Sequence, residues 1–498
     1  MSLNTTITTQ IPSAPITYFG VRRNDDEIKA FGVGDTDRKR HFYVLGKTGT
    51  GKSTMLHNMC LQDIYRGKGV CFIDPHGDSI DYILDKIPLH RKEDLIYFNP
   101  SDTEFPIGLN VMQSENGEQD FLICSSIMSV FKRIWAGMWS SRMEYILNNT
   151  ILALLEQKDA TLIGVIKMLS DNDYRDQVVK DCQNPLVKNF WLKEFALFND
   201  KYRTEAIAPI MNKIGQFFST SLTRNILGQT TSSFNIRNIM DNKKILLVNL
   251  SKGQIGEDNS NLIGSLLVTK IQLAALSRAS SFVDDRPDFN LFVDEFQNFT
   301  TDSFTTILSE ARKYGLNLVL AHQYIDQLNE TGNENIKNAI FGNVGSFVIF
   351  QVGSKDADIV LPEFEPVFER QHLINLNNTE IAVRLSINGR TSQPFLAKTL
   401  PPIFHTFGGK KEYFVSYSRA EYGRNKLEVE REITSYLEDN SNGKKVKTKP
   451  KRPNLNAARP TYAPNNNSSS TSTAQNQPSA VTKKPNYSGY NRRPNLNP

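Results

Sequence analysis

Gly46 to Ser53 reads GKTGTGKS. Every fixed position of the phosphate-loop pattern G-x-x-x-x-G-K-[ST] is filled. The flanks give the context that pattern needs. HFYVL, His41 to Leu45, is β-branched and aromatic and predicts a strand. TMLHNMCLQDIYRG, Thr54 to Gly67, carries Leu56, Met59, Cys60 and Ile64 at helical spacing. A glycine-rich turn between strand and helix gathers bare backbone N–H groups and a helix N-terminus at one point, and that point attracts a polyphosphate. The expected cradle for ATP is Gly46, Lys47, Thr48, Gly49, Thr50, Gly51, Lys52, Ser53 and Thr54. Lys52 is expected to reach the β- and γ-phosphates, and the Ser53 hydroxyl to hold Mg²⁺. A chance glycine-rich turn is the alternative. With Gly at about 7% of residues, chance produces the pattern in a chain this long on the order of a per cent of the time.

Outward from the loop, strand and helix signals alternate as in a parallel α/β sheet. ITYFGVRRNDDEIKAFGV (Ile16 to Val33) predicts a hairpin before the phosphate-loop strand. GVCFID (Gly69 to Asp74) and DLIYFNP (Asp94 to Pro100) predict strands, the second ended by proline. Strand signals then stop. Residues 115–235 hold helical-period stretches such as SRMEYILNNTILALLEQ and EAIAPIMNKIGQFF, and read as an all-α insertion. They resume with KKILLVNL (Lys243 to Leu250), FNLFV (Phe289 to Val293), NLVLAHQ (Asn317 to Gln323), SFVIFQV (Ser346 to Val352), EIAVRLS (Glu380 to Ser386) and PFLAK (Pro394 to Lys398). The expected organisation is a loose N-terminus at 1–15, a nucleotide-binding α/β domain from 16–114 and 236–410, the insertion at 115–235, a helical extension at 411–439 and a tail at 440–498.

Charge is distributed unevenly. Asn440 to Pro498 carries seven Lys, four Arg and no acidic residue, so the rest of the chain holds 47 basic against 53 acidic residues. The tail is rich in Lys, Pro, Asn and Ser, cannot bury enough apolar surface to fold, and reads as disordered. RPNLN occurs in it twice, at Arg452 to Asn456 and Arg493 to Asn497, as a short binding motif or as low-complexity drift. Nucleic-acid affinity in the mildly acidic remainder would have to come from local patches. Cys60, Cys71, Cys124 and Cys182 have no metal-ligand spacing and read as buried apolar residues in a reducing compartment. No signal peptide and no membrane span are expected. Phe121 to Trp139, the nearest candidate for a span, includes Lys132 and Arg133 and reads as an amphipathic core helix.

A phosphate loop alone binds nucleotide; hydrolysis needs a carboxylate on the metal side and a group acting on water. FNLFVDEF ends a hydrophobic strand in Asp294 and Glu295. Asp294 is expected to anchor the Mg²⁺ shell, and Glu295 to polarise the attacking water. The alternative is a solvated acidic pair. Gln323, at the end of NLVLAHQ, reads as a γ-phosphate sensor or a capping polar residue, and His322 as structural. Arg312, in SEARKYG, reads as an arginine finger acting on a neighbouring subunit or as a solvated helix charge. Asp74 and His76 of DPHGD follow a strand end and are candidates to line the site.

GKTGTGKS after a hairpin, IDPHGD after the second strand, a helical insertion, LFVDEFQNF and ARKYGLNLVLAHQ occur in this order. Together they resemble the HerA–FtsK superfamily of RecA-like motors, and within it the conjugative coupling proteins of TraD/TraG type. The likeness runs from Phe19 to Leu400, and NVGSFVIFQVGSKDADIV (Asn343 to Val360) adds to it. It implies a RecA-like P-loop ATPase fold and a hexameric, ATP-driven DNA pump. Lys52 and Ser53 would serve nucleotide and Mg²⁺, Asp294 and Glu295 metal and water, Gln323 sensing, and Arg312 the trans position. Coupling proteins of this type usually begin with transmembrane helices, which this sequence does not show. The expectation is a cytoplasmic motor, recruited to a membrane through a partner if at all, with a relaxase or secretion-system protein as candidate partner. An ATPase acting on protein, a soluble HerA-like DNA-processing motor, and a binding module that uses nucleotide as a switch are the competing readings. Glu295 speaks against the last.

Overall fold

Phe42–Leu45, the strand before the phosphate loop, is fully buried in the middle of an eleven-stranded sheet. Its unbroken apolar run is what a strand covered on both faces requires. The structure, a computed structural model, describes residues 16–24, 27–114, 119–301, 304–329, 334–403 and 409–438. The expected loose N-terminus (1–15) and basic tail (440–498) lie outside the described residues.

In chain order the sheet strands are β1 (Ile16–Asn24), β2 (Glu27–Gly34), β3 (Phe42–Leu45), β4 (Gly69–Asp74), β5 (Leu95–Phe98), β6 (Ile245–Asn249), β7 (Phe289–Val293), β8 (Leu316–His322), β9 (Ser346–Ile349) and β10 (Glu380–Arg384). A two-stranded ribbon follows, β11 (Ser386–Ile387) with β12 (Arg390–Thr391), and then the last sheet strand, β13 (Phe395–Thr399). Their order across the sheet is β2-β1-β13-β10-β9-β3-β8-β7-β4-β6-β5. From β9 to β5 all neighbours are parallel, whereas β10, β13 and the β1–β2 hairpin extend the sheet antiparallel. The fold is α/β with a mainly parallel sheet. Register brings Leu45 beside His322 and Asp74 beside Asn249, so the C-terminal ends of β3, β8, β7, β4 and β6 share one edge.

Alternate residues of each central strand face opposite layers. Val44, Phe72 and Phe292 pack under the helix Lys52–Tyr65. Tyr43, Leu45, Cys71 and Leu291 face the helix Glu257–Ser277 and the helical region beyond it. Between β5 and β6 the described residues form helices and turns and no strand, beginning with Asp120–Ile134 and Ser141–Leu155. Their apolar sides join the core of this second face without a break. Within Phe121 to Trp139, Ile123, Cys124, Ile127, Val130 and Phe131 are buried while Phe121 is 72% exposed, the two-sided pattern of a core-packed helix. The described helix that is long and apolar enough to cross a membrane is a different stretch, Glu257–Ser280, most of which is buried inside the protein. All four cysteines are buried and unpaired.

Polar anchors fix the layers at the opposite edge of the sheet. Asp63 is fully buried and accepts two bonds from Arg38 Nη1, at 2.8 and 2.7 Å, and one from Asn290 Nδ2 at 3.2 Å. Asn290 in turn accepts from Asn317 Nδ2 across β7 and β8 at 3.1 Å. Removing one partner of such a buried pair costs about 3–5 kcal/mol, so the network fixes register and tolerates little substitution. At the chain's far end, the helix Lys411–Tyr422 lies on edge strand β5, and the helix Lys426–Glu438 packs on the helical region through Val429 and Ile433.

Candidate nucleotide site

The loop after β3 is shaped by glycine. Gly49 and Gly51 have φ of 79° and 113°, which side chains disfavour. At Gly46 a Cβ would lie 2.4 Å from Phe350 Cβ, so the β9 segment closes against bare backbone. That approach is fixed by Lys47 N–H donating to the Gln351 carbonyl at 2.9 Å and Thr379 N–H donating to the Thr50 carbonyl at 3.1 Å. The helix Lys52–Tyr65 starts at the end of the loop, so its free N–H groups point into the bend. Lys47, Thr48, Gly49 and Ser53 are exposed, Gly51 and Thr54 half-buried, and Thr50 and Lys52 buried.

Lys52 folds back over this loop. Its Nζ donates to the carbonyls of Gly46 at 2.5 Å and Lys47 at 3.0 Å. Burial lowers its pKa, opposed by the charges of Glu295 and Asp294. Ser53 Oγ donates to Asp294 Oδ2 at 3.4 Å. Asp294 follows β7 directly; its N–H bonds the Ile73 carbonyl, and its Oδ1 accepts from Glu295 N–H at 3.0 Å. Burial, then the charges of Asp74 and Glu295, push the Asp294 carboxyl up to about 7. Asp74 is buried next to it, also with a raised pKa, and accepts from the N–H groups of His76 at 2.8 Å and Ser79 at 2.9 Å. Asp74 therefore shapes the turn after β4, while His76 is exposed.

Glu295 has φ 46° and ψ 48°, the left-handed region. A non-glycine residue pays about 1–3 kcal/mol to stay in such a conformation, and does so where its surroundings over-determine it. Gln323 Nε2 donates to Glu295 Oε1 at 2.7 Å, Gln297 Nε2 to Oε2 at 2.9 Å, and Asn298 Nδ2 to the Glu295 carbonyl at 2.9 Å. Gln323 can reach Glu295 because β8 lies between β3 and β7. Its neighbour His322 points into the core, where Nε2 lies 2.5 Å from Tyr43 Oη. Burial holds His322 near 3, with the Lys52 charge adding to the effect, so the ring is neutral.

The structure thus brings Lys52, Ser53, Asp294, Glu295 and Gln323 together. Arg312 is not among them. It is exposed in the turn Ala311–Tyr314 before β8, at the opposite end of that strand from Gln323. Within its own chain it is on the wrong edge of the sheet. Gln297 escapes a reading of the sequence, although it is two residues beyond Glu295 in the run LFVDEFQNF; a polar amide next to a carboxylate carries no signal until the turn brings them together. Tyr43 escapes it because a buried strand tyrosine reads as core.

The donor set fits a polyphosphate with a divalent cation. The loop offers N–H groups and the Lys52 ammonium, which is turned onto the loop's own carbonyls. Surplus carboxylate charge is packed around Asp294, and the Ser53 hydroxyl adjoins it. Magnesium takes one or two protein oxygens plus phosphate oxygens instead of a full protein cage.

Similarity to known proteins agrees with this geometry. The chain is 20% identical over 379 residues to the type 4 coupling protein DotL of Legionella pneumophila, covering 64% of this chain and 48% of that protein. It thus spans about half the length of that curated relative. Among solved structures it is similar to plasmid coupling protein TrwB in complex with ADP and Mg²⁺, with TM-score 0.55, 17% identity, and coverage of 80% of this chain and 98% of that one. VirB4 of Thermoanaerobacter pseudethanolicus matches with TM-score 0.51, 14% identity, and coverage of 78% and 96%. At these identities the two structures show the fold. The family model of the type IV secretion-system coupling protein DNA-binding domain matches residues 33–360, and the chain belongs to that family.

Proposed function

We propose that this chain is an ATP-driven motor that moves DNA for type IV secretion or conjugation, working as a ring of its own copies, six by the resemblance. The observation that carries the hydrolytic part is Glu295, held in a left-handed turn between Gln297 and Gln323 beside the Ser53–Asp294 pair. A module that only binds nucleotide has no need of a carboxylate fixed in this way. TrwB, solved with an ATP analogue and with ADP and Mg²⁺, supports ATP and Mg²⁺ as the ligands.

In this reading Lys52 exchanges its loop carbonyls for the β- and γ-phosphates. Ser53 and Asp294 would hold Mg²⁺. Bound Mg²⁺ supplies neutralisation of charge on the phosphate oxygens. Glu295 orients and polarises the attacking water, and Gln323 keeps that carboxylate in place and senses the γ-phosphate. Arg312 is out of reach of its own loop, so its proposed role is as an arginine finger on a neighbouring subunit's nucleotide, the alternative being a solvated charge. DNA would be gripped through its phosphates, largely without sequence preference, with the eleven basic residues of the tail raising its local concentration. A relaxase or secretion-system protein is the proposed partner. The place of action is the cytoplasmic side of a membrane, reached through that partner.

The test is ATP hydrolysis with and without DNA, beside Lys52→Ala. Wild-type turnover should rise with DNA, and Lys52→Ala should remove it. Turnover that ignores DNA would sink the DNA reading and leave a motor acting on protein. The acidic excess outside the tail favours that second reading. DNA binding by a chain ended after Glu438 separates the two.

A further inference from the structure

The loop that carries Glu295 is braced from outside the sheet. Arg133, near the end of the helix Asp120–Ile134, donates through Nη2 to the carbonyl of Gln297, and through Nη1 to Ser265 Oγ at 3.4 Å. Gln297 is the residue whose side chain holds Glu295 Oε2. Its carbonyl also accepts from Thr300 Oγ1 at 3.2 Å. A second brace comes from Lys252, whose Nζ bonds Asn298 Oδ1 at 3.0 Å and Glu257 Oε1 at 2.6 Å. The Lys252 brace arises next to β6, within the sheet domain. The Arg133 brace arises in the helical region, 164 positions before Gln297.

We propose that Arg133 is a positioning residue that ties the helical region to the Glu295 turn, so that hydrolysis depends on how that region is held. Glu295 needs such support because its backbone is left-handed and its carboxylate must keep one direction. A guanidinium suits this role because its planar fork reaches a loop carbonyl and a helix hydroxyl at once, and its charge strengthens both bonds. Arg133 acts on Glu295 through Gln297, so its removal should spare binding and slow the chemical step. The proposal rests on the hydrolytic reading of Glu295.

The experiment measures kcat, KM and the affinity for a fluorescent ATP analogue in the full chain and in Arg133→Ala, Arg133→Met and Arg133→Lys. Met keeps the aliphatic bulk without donors, and it decides the matter if Ala does not fold. The expected result is a kcat at least tenfold lower in Ala and Met, with KM and analogue affinity within twofold of wild type. Lys should recover part of the loss. In the pair Arg133→Met with Gln297→Ala, the combined loss should be smaller than the product of the two single losses, because Arg133 holds the Gln297 carbonyl in place and Gln297→Ala removes the side-chain amide which that placement aims at Glu295. A kcat within twofold of wild type in Arg133→Met would overturn the proposal, as would losses that simply multiply in the pair. A wild-type chain that hydrolyses no ATP would instead overturn the reading of the site.

Discussion

At the scale of the residue, the site is a question of which groups hold Glu295. Asp294 and Glu295 are adjacent in sequence yet differ in role because the turn after β7 sends their side chains apart. Asp294 is drawn to Ser53 and Glu295 to Gln323. Asp294 and Lys52 are largely buried, and burial works against the charge of each while the charge of the other supports it. Glu295→Gln keeps size but turns one accepting oxygen into a donating NH2 and cannot accept a proton. It should leave nucleotide affinity near wild type and lower kcat by about 10²–10⁴. Gln323→Ala, which frees the carboxylate without removing it, should lose about tenfold to a hundredfold, the range seen when a supporting contact to a functional group is cut. Steady-state hydrolysis at saturating ATP, beside single turnover with enzyme in excess, reads both. Equal losses in the two variants would mean that Gln323 does more than orient. The sequence points to Glu295 as the group acting on water and to Gln323 as a sensor or a cap; the bond between them depends on β8 being inserted beside β7.

At the scale of the element, the parallel strands were legible because each is covered on both faces and so reads as an unbroken apolar run. FNLFV and GVCFID could hardly be anything else. The hairpin Ile16 to Val33 was legible as well, but its position was not: it pairs with β13, from the far end of the domain, at the antiparallel side of the sheet. Edge pairings of this kind are set by long-range contacts that local pattern does not encode. The opposite edge shows how the sheet is closed. Among the described residues β5 has no strand beyond it, and the helix Lys411–Tyr422 lies there instead. Ser418, fully buried, accepts the Tyr97 N–H at 2.9 Å and so satisfies a backbone donor that an edge strand otherwise leaves bare. Ser418→Ala would strand that N–H in an apolar contact. It should cost about 1–3 kcal/mol in urea unfolding. Ser418→Thr, which keeps the hydroxyl, should lose less unless its extra methyl overpacks the site. An alanine variant as stable as wild type would show that water reaches Tyr97.

At the scale of the whole molecule, the helical region and the sheet share one core, and the bonds that join them run between residues far apart in sequence, such as Arg133 to Gln297. This is why the nucleotide loop and its carboxylates could be recognised from short motifs whereas the brace behind them could not. Stability against pH is likewise set across the layers. His41, His57 and His322 are held neutral, with pKa values near 4, 4 and 3, and burial is the leading cause for each. Unfolding returns each to about 6.5. Between its folded and unfolded values each histidine binds a proton only in the unfolded chain, so its contribution to stability is complete above pH 6.5 and drains away toward pH 4. Asp294 and Asp74, raised by burial, slope the other way, because there the folded state holds the extra proton. The wild-type profile is a difference of opposing terms, and only a substitution isolates one of them. His57 is the best placed. Its ring stacks on Tyr82 with centroids 4.7 Å apart, also contacts Phe72, faces the Lys86 ammonium, and leaves a buried Nε2 with no protein partner among the described residues. His57→Phe keeps the stack and removes the titration. At pH 7.5 it should match wild type closely. At pH 5 it should be the more stable of the two by up to about 2 kcal/mol, from a pKa difference of about 2.5 units. Urea unfolding of both proteins across this range reads the difference directly. A gap that stays constant from pH 7.5 to pH 5 would mean that His57 keeps its ordinary pKa in the folded chain, and that the layer over β4 admits the solvent needed to charge it.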